Sequence, residues 1–256
     1  MIIRTLQWNI GGGKVRKTDD NPIDPLSYCI DDLDSFIDLL KKHTPDIITI
    51  QESHSNKTDN QANKIADALG YKYFINDVYD SSHLEKGMSL NQAIISVFPI
   101  KNSEFELFFN PKFETLGPRG EHWVSHEKGI SSCLIEIEKD KVLQIKTSHS
   151  FPYRRFHIDP LSKETLQLRN DMVRKIKPSN DLFLYQGDLN LDFESLQEVL
   201  PDLLVNGMNE VILEEFTTPK GKKYDHVLYK GIKHVSSKII TDVLSDHYPV
   251  ISEFEL

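Results

Sequence analysis

Cysteine is scarce in this chain. Cys29 and Cys133 are its only two, they lie far apart, and they fit neither a disulfide framework nor a zinc site. Two small core residues in a reducing compartment is the reading that remains. Long apolar runs are missing as well, and none approaches the length that spans a bilayer. The opening Met1-Ile2-Ile3-Arg4-Thr5 moves directly into a strand pattern, without the basic, apolar and cleavage regions of a signal peptide. A cytoplasmic, soluble protein without a membrane anchor is the expectation. Basic charge is in deficit: 30 Lys and Arg against 39 Asp and Glu give a net charge of -9. That excludes a protein that coats nucleic acid by bulk charge. It does not exclude a nuclease, because carboxylates gathered at a divalent cation form a positive centre once the ion is bound. Repeats, low-complexity tracts and Pro/Gly/Ser linkers are also lacking, so residues 1–256 read as one domain, expected to act as a monomer.

What the chain does have is strands. Apolar runs recur at Ile2–Trp8, Asp46–Ile50, Ala93–Phe98, Ser131–Ile137, Val142–Thr147, Leu182–Tyr185, Tyr224–Tyr229 and Val250–Phe254. Several alternate with period two, which suits burial on one face. Three helices are expected between them. The first opens at Asp24-Pro25, buries Leu26, Ile30, Leu33, Ile37 and Leu40, and stops before Pro45. The second runs from about Asn60 to Leu69 and ends at Gly70. The third opens at Asp159-Pro160 and continues through Leu161, Leu168, Met172 and Ile176 to Pro178. Consecutive runs joined by Lys139-Asp140 read as an antiparallel hairpin. Many strands with few helices favour an α/β sandwich: two mainly antiparallel sheets packed face to face, with helices outside and loops converging at one end.

Four of the strand runs end in side chains that handle metals and protons. They are Leu6-Gln7-Trp8-Asn9, Ile50-Gln51-Glu52, Gly187-Asp188-Leu189-Asn190 and Ser245-Asp246-His247. Phosphodiester hydrolysis needs charge stabilisation at the phosphoryl oxygens, an activated water and a proton donor for the leaving oxygen. Mg²⁺ supplies the first of these, since it prefers hard oxygen ligands and takes one or two carboxylates from a protein. Glu52, directly after a buried run, is the best-placed ligand. Asn9 can hydrogen-bond phosphate or orient that carboxylate without adding charge. Asp188 and Asn190, two apart on a turn, can hold one water or one leaving oxygen between them. His247 suits proton transfer but needs a carboxylate to fix its tautomer, and Asp225 can serve. His149, after another apolar strand, can contact a non-bridging phosphate oxygen or protonate the leaving group. Taken singly, each motif is a turn, a cap or a buried imidazole. The ordered set, always at strand ends, is what carries the reading.

In order, Trp8-Asn9, Gln51-Glu52, Ala93-Ile94-Ile95-Ser96, Lys128-Gly129-Ile130, Ser148-His149, Gly187-Asp188-Leu189-Asn190, Tyr224-Asp225-His226 and Ser245-Asp246-His247 resemble the motifs of the endonuclease/exonuclease/phosphatase superfamily. These are the metal-dependent phosphoesterases related to deoxyribonuclease I, and the resemblance covers essentially the whole chain. It implies a four-layered α/β sandwich and dependence on Mg²⁺ or Mn²⁺. It further implies that Glu52 binds metal, Asn9 supports metal or phosphate, and Asp188 and Asn190 position water and stabilise the transition state. Asp225 would pair with His247, and Asp246 is a further metal-ligand candidate.

The departures bear on substrate. Abasic-site endonucleases carry a Tyr-containing motif where this chain has Ser148-His149-Ser150, which disfavours that role. Asn91 stands where relatives often have Gly, Val97 where a basic residue is common, and Lys128 where Arg is frequent. Gly11-Gly12-Gly13-Lys14 lacks the P-loop pattern and reads as a flexible turn. Arg154 and Arg155 after His149, Arg119, Trp123 and the Lys220–Lys223 stretch are candidate substrate contacts, since arginine forks read phosphate and aromatics stack on bases. The expected function is hydrolysis of a phosphoester, foremost in nucleic acid. A small phosphorylated metabolite, inositol phosphate or lipid headgroup is the alternative substrate, and a binding protein that has lost catalysis the remaining reading.

Overall fold

In the computed structural model, which describes residues 1–117, 120–191 and 194–256, alternation along the strands sorts side chains into layers. The strands of the two large sheets are β1 (Ile2–Asn9), β2 (Ile47–Ser55), β3 (Tyr73–Ser81), β4 (Ser89–Ser96), β5 (Ile100–Leu107), β6 (Gly129–Glu138), β7 (Lys141–Ser148), β8 (Phe183–Asp188), β9 (Asn209–Glu210), β10 (Asp225–Lys230), β11 (Lys233–Ile239) and β12 (Val250–Glu255). One sheet has the order β11-β12-β1-β2-β4-β3 and the other β9-β10-β8-β7-β6-β5. Each contains a single parallel pair, β1 with β2 and β7 with β8, amid antiparallel neighbours. The Lys139-Asp140 hairpin forms between β6 and β7, with Asp140 in the left-handed turn conformation at φ 64°.

Three packed layers of side chains follow from the period of two. On β1, Leu6 and Trp8 pack outward with Phe36, Ile37 and Leu40 of α1 (Leu33–His43) and Ala62, Ile65 and Ala66 of α2 (Gln61–Leu69). On the second sheet, Phe183, Tyr185 and Leu228 pack outward against Leu168, Met172 and Ile176 of α3 (Leu166–Ile176). Between the sheets, Ile3, Ile47, Ile94, Val250 and Phe254 meet Cys133, Ile135, Leu143, Ile145, Leu184 and Val227. Each such fully buried aliphatic side chain contributes roughly 1.5–3 kcal/mol relative to exposure. The result is the four-layered α/β sandwich.

The second expected helix forms as read, capped by Asn60 and closed by Gly70 in the left-handed region. The other two start later than their Asp-Pro signals suggest. Pro25–Ser27 makes only one 3₁₀ turn capped by Asp24, Ile30–Asp31 then pairs with Lys14–Val15, and Asp32 caps the true α1. Leu26, expected to be buried, is 73% exposed. Asp159 likewise caps a local turn at Leu161, a 3₁₀ turn covers Lys163–Thr165, and α3 begins at Leu166. A cap satisfies only the first free N–H groups, so it starts a turn without ensuring that a helix propagates from it. Among the described residues no helix is long and apolar enough to cross a membrane.

Candidate active site

The inward faces of the central strands change character along their length. Past the apolar middle layer come Thr5, Gln7, Thr49, Gln51, Gln92, Ser131, Thr147 and Gln186, all buried. They bond across the gap: Gln186 Nε2 donates to Thr5 Oγ1 at 2.9 Å and Gln51 Nε2 to Thr147 Oγ1 at 2.8 Å. Two residues further, the same faces present Asn9, His149 and Asp188, the bulge after Gln51 adds Glu52, and β10 opens with Asp225. The loop before β12 adds His247, whose carbonyl oxygen accepts from Trp8 Nε1 at 2.9 Å.

Asp188 is the hub. Its Oδ1 accepts the Asn190 backbone N–H at 2.8 Å, and its Oδ2 accepts Asn9 Nδ2 at 3.0 Å. His149 Nε2 and His247 Nε2 each lie 3.7 Å from that Oδ2. Asn190 adopts φ 52°, the left-handed conformation that asparagine tolerates in turns, and its side chain donates to Ser150 O at 3.2 Å. Glycine is required at 187 by close approach: a Cβ there would stand 2.5 Å from Ser148 O and 2.8 Å from Tyr185 Oη. The β7–β8 contact that brings His149 beside Asp188 depends on that missing side chain.

Asp225 and His247 form a pair, Oδ2 to Nδ1 at 3.0 Å, both buried. Burial works against the imidazolium, yet Asp225 and then Asp188 outweigh it and raise His247 well above the ordinary histidine range. Asp188 is raised by burial, with Asp225 adding to the effect and His247 and the Asn9 N–H opposing it. Glu52 sits where β2 bulges against β4 between Ile50 and Ser53, in the left-handed region at φ 53°. Such bulges re-aim a side chain at a sheet end. Burial disfavours its charge, but His149 and Lys128 outweigh that and hold it well below the usual carboxylate range. His149 acts on Glu52 only when protonated and is itself kept neutral by burial and by Lys128, so at neutral pH the cations near Glu52 are the ammonium of Lys128 and the raised imidazolium of His247.

The structure brings together Asn9, Glu52, His149, Asp188, Asn190, Asp225 and His247. Asp246 adjoins them: its Oδ1 would lie 3.1 Å from a Cβ on Gly11, and burial, against the pull of His247 and with help from Glu52, raises its pKa. Arg154 turns away into an ion pair with Glu194. Arg155 lies 5.3 Å from the Trp123 ring centroid, so these two candidate contacts form one surface. Lys220 is near enough to Asp246 to lower its pKa. Arg119 lies outside the described residues. Two residues that the strand-end motifs did not flag belong here. Tyr79 Oη is 3.1 Å from His149 Nδ1, and Lys128 Nζ is 2.9 Å from the same atom and 5.0 Å from the Tyr79 centroid. The signal for Lys128 was its place before the β6 run. Tyr79 ends an edge strand with no apolar run to mark it.

The donor set suits a hard divalent cation. Asp188, Asp225 and His247 each offer an atom within 4.8 Å of the others, Glu52 is held ionised, and the buried Asp188 and half-buried Asp246 carry raised pKa values that a nearby cation would relieve.

The endonuclease/exonuclease/phosphatase family model matches residues 6–247. No curated protein matches the sequence. Solved structures do match in shape. An endonuclease/exonuclease/phosphatase from Beutenbergia cavernae DSM 12333 is 14% identical with a TM-score of 0.76, covering 100% of this chain and 72% of that one. The human nocturnin catalytic domain with bound sulfate is 16% identical, TM-score 0.69, covering 99% and 94%. TDP2 from D. rerio, complexed with a single-strand DNA product, is 15% identical, TM-score 0.63, covering 100% and 99%. With the fold, the strand-end cluster and a family match over nearly its whole length, the chain belongs to the endonuclease/exonuclease/phosphatase family, a superfamily of phosphoester hydrolases.

Proposed function

We propose that this protein is a Mg²⁺- or Mn²⁺-dependent phosphodiesterase acting on nucleic acid or a nucleotide-derived ester. The observation that carries this reading is the buried convergence of Asn9, Glu52, His149, Asp188, Asp225 and His247 from both sheets onto one point. Two structural relatives support the substrate class: TDP2 was solved with a single-strand DNA product, and ANGEL2 is described as a 2′,3′-cyclic phosphatase.

Glu52 and Asp246, with Asn9 orienting the phosphate side, would hold the ion. Once bound, a divalent ion supplies charge stabilisation at the phosphoryl oxygens. Asp225 and His247 already bond to each other, so they read as a proton-handling pair: Asp225 fixes the ring orientation that leaves Nε2 facing Asp188 and the substrate. Asp188 and Asn190 orient the attacking water or the leaving oxygen. His149, held neutral and with Lys128 Nζ 2.9 Å from its Nδ1, can donate one hydrogen bond from Nε2 to a phosphoryl oxygen. Trp123 with Arg155 offers a stacking face for a base, and Arg155 is near enough to Lys128 to lower its pKa.

Incubation with single- and double-stranded DNA, RNA and bis(4-nitrophenyl) phosphate, each with Mg²⁺ or EDTA, tests this. Mg²⁺-dependent cleavage is expected, with loss of at least roughly 100-fold in Glu52→Ala, the scale on which removing one charge-stabilising group acts. Cleavage that persists in EDTA, or in Glu52→Ala, would contradict the reading.

A further inference from the structure

The polar layer behind the site contains one side chain that touches both halves of it. Gln7 is fully buried on β1, two residues before Asn9 and on the same face. Its Nε2 lies 2.7 Å from Asp225 Oδ1, on the opposite sheet, and 2.7 Å from Gln51 Oε1, on the adjacent strand. The two hydrogens of one amide are thus both committed. The orientation is forced, since an amide flip would set Gln7 Oε1 against a carboxylate and a carbonyl oxygen. Gln51 is itself held by Thr147 Oγ1, which donates to Gln186 O at 2.7 Å. The remaining oxygen of Asp225 takes His247 Nδ1.

From this connection we infer that Gln7 is a positioning residue: by holding one oxygen of Asp225 it locks the side-chain rotamer, so that the other oxygen is aimed at His247 Nδ1. Through Gln51, it also registers the Glu52 bulge against that pair. A threonine or serine at position 7 would not span the gap, whereas the glutamine reaches 2.7 Å on both sides. The inference rests on the phosphodiesterase reading of the same site, because it assigns Gln7 its purpose through His247. The geometric link is independent of that reading.

The test is a double-mutant cycle on bis(4-nitrophenyl) phosphate with Mg²⁺, using Gln7→Met, Asp225→Ala and the pair. Gln7→Met keeps length and removes the donor. The expected result is a fall in kcat of roughly 10–100-fold with little change in KM, the cost typical of losing an outer partner of a site residue. In the Asp225→Ala background Gln7→Met should add nothing. An equal fall with and without Asp225 overturns the proposal, as does wild-type kcat in Gln7→Met. Gln7→Leu, also buried and without any donor, serves if the methionine variant fails to fold, and it should lose at least as much. A second readout needs no turnover. In metal-free protein, the downfield imidazole N–H resonance that disappears in His247→Ala should shift or broaden in Gln7→Met, and an unmoved resonance overturns the inference. Absence of any Mg²⁺-dependent diester cleavage by the wild type would sink the functional reading, while the resonance still decides the role of Gln7.

Discussion

Lys128 is built at a cost, and replacing it should trade activity for stability. Its side chain is 4% exposed, with Nζ at 2.9 and 3.3 Å from the two nitrogens of His149. Burial lowers its pKa from 10.5 to about 8, even though Glu52 and Asp188 pull the other way. At about 1.4 kcal/mol per pH unit, the charged form carries a penalty of about 3 kcal/mol in the folded protein at pH 7. Lys128→Met retains the buried stem and removes the charge. The metal-free variant should therefore unfold at higher urea than the wild type at pH 7, by about 3 kcal/mol. The sign reverses nowhere, but the size depends on pH. Below pH 8 both folded and unfolded lysine are protonated and the penalty is complete. Between 8 and 10.5 the unfolded chain binds the extra proton, so wild-type stability gains on the variant as pH rises. By about pH 9.5 the difference should shrink to less than half of its size at pH 7. Diester hydrolysis at pH 7 should fall at the same time, because the cation facing Glu52 and His149 is gone. A variant less stable than wild type at pH 7, or a difference that ignores pH, would refute the reasoning.

His247 titrates with the opposite sign. Its folded pKa is raised, so the stability it contributes is complete below its ordinary value near 6.5 and is lost as pH rises toward the folded value. In EDTA, His247→Ala should cost most stability at about pH 5–6 and progressively less toward about pH 9, measured by urea unfolding at each pH. Gly12→Ala tests the glycine turn. Gly12 has φ 73°, and a Cβ there would meet the His54 ring at 2.4 Å. Left-handed strain of about 1–2 kcal/mol and overpacking of about 1–3 kcal/mol together predict a loss of roughly 2–5 kcal/mol, seen as a lower unfolding midpoint. Unchanged stability would mean that the His54 side chain yields freely.

The eight strands legible in the sequence, from Ile2–Trp8 to Val250–Phe254, are all interior strands of the two sheets. Those it did not reveal, β3, β5, β9 and β11, are the four sheet edges. The reason is physical. An interior strand here is covered by helices on one face and by the facing sheet on the other, so it reads as an apolar run. An edge strand such as Ile100–Leu107 exposes Lys101, Asn102, Ser103 and Glu104, the polar composition that discourages edge-to-edge pairing. Helix starts failed for a related reason. Asp24-Pro25 and Asp159-Pro160 carry the right local chemistry, but the apolar faces that propagate α1 and α3 begin only at Leu33 and Leu168.

The candidate site was legible where its residues follow an apolar run to a strand end, as Asn9, Glu52, His149 and Asp188 do; His247, expected at a strand end, instead lies in the loop that precedes β12. Gln7, Gln51 and Thr147 do not, because in sequence they sit inside strands where a polar residue on alternate positions ordinarily marks a solvated face. Here that face is turned toward the opposite sheet. The conflict is recorded in the structure itself, where Gln7 Oε1, Thr49 Oγ1, Gln92 Oε1 and Gln186 Oε1 are buried and meet no hydrogen-bond partner among the described residues. Leaving such groups unpaired costs about 1–3 kcal/mol each, and aliphatic residues on these inner faces would avoid that cost. The apolar outer faces, Leu6 and Trp8 against α1 and Phe183 and Tyr185 against α3, let the fold tolerate it. A polar layer held at that expense directly behind Asp225 and Glu52 follows from a site that has to be oriented from within, not merely displayed at a rim.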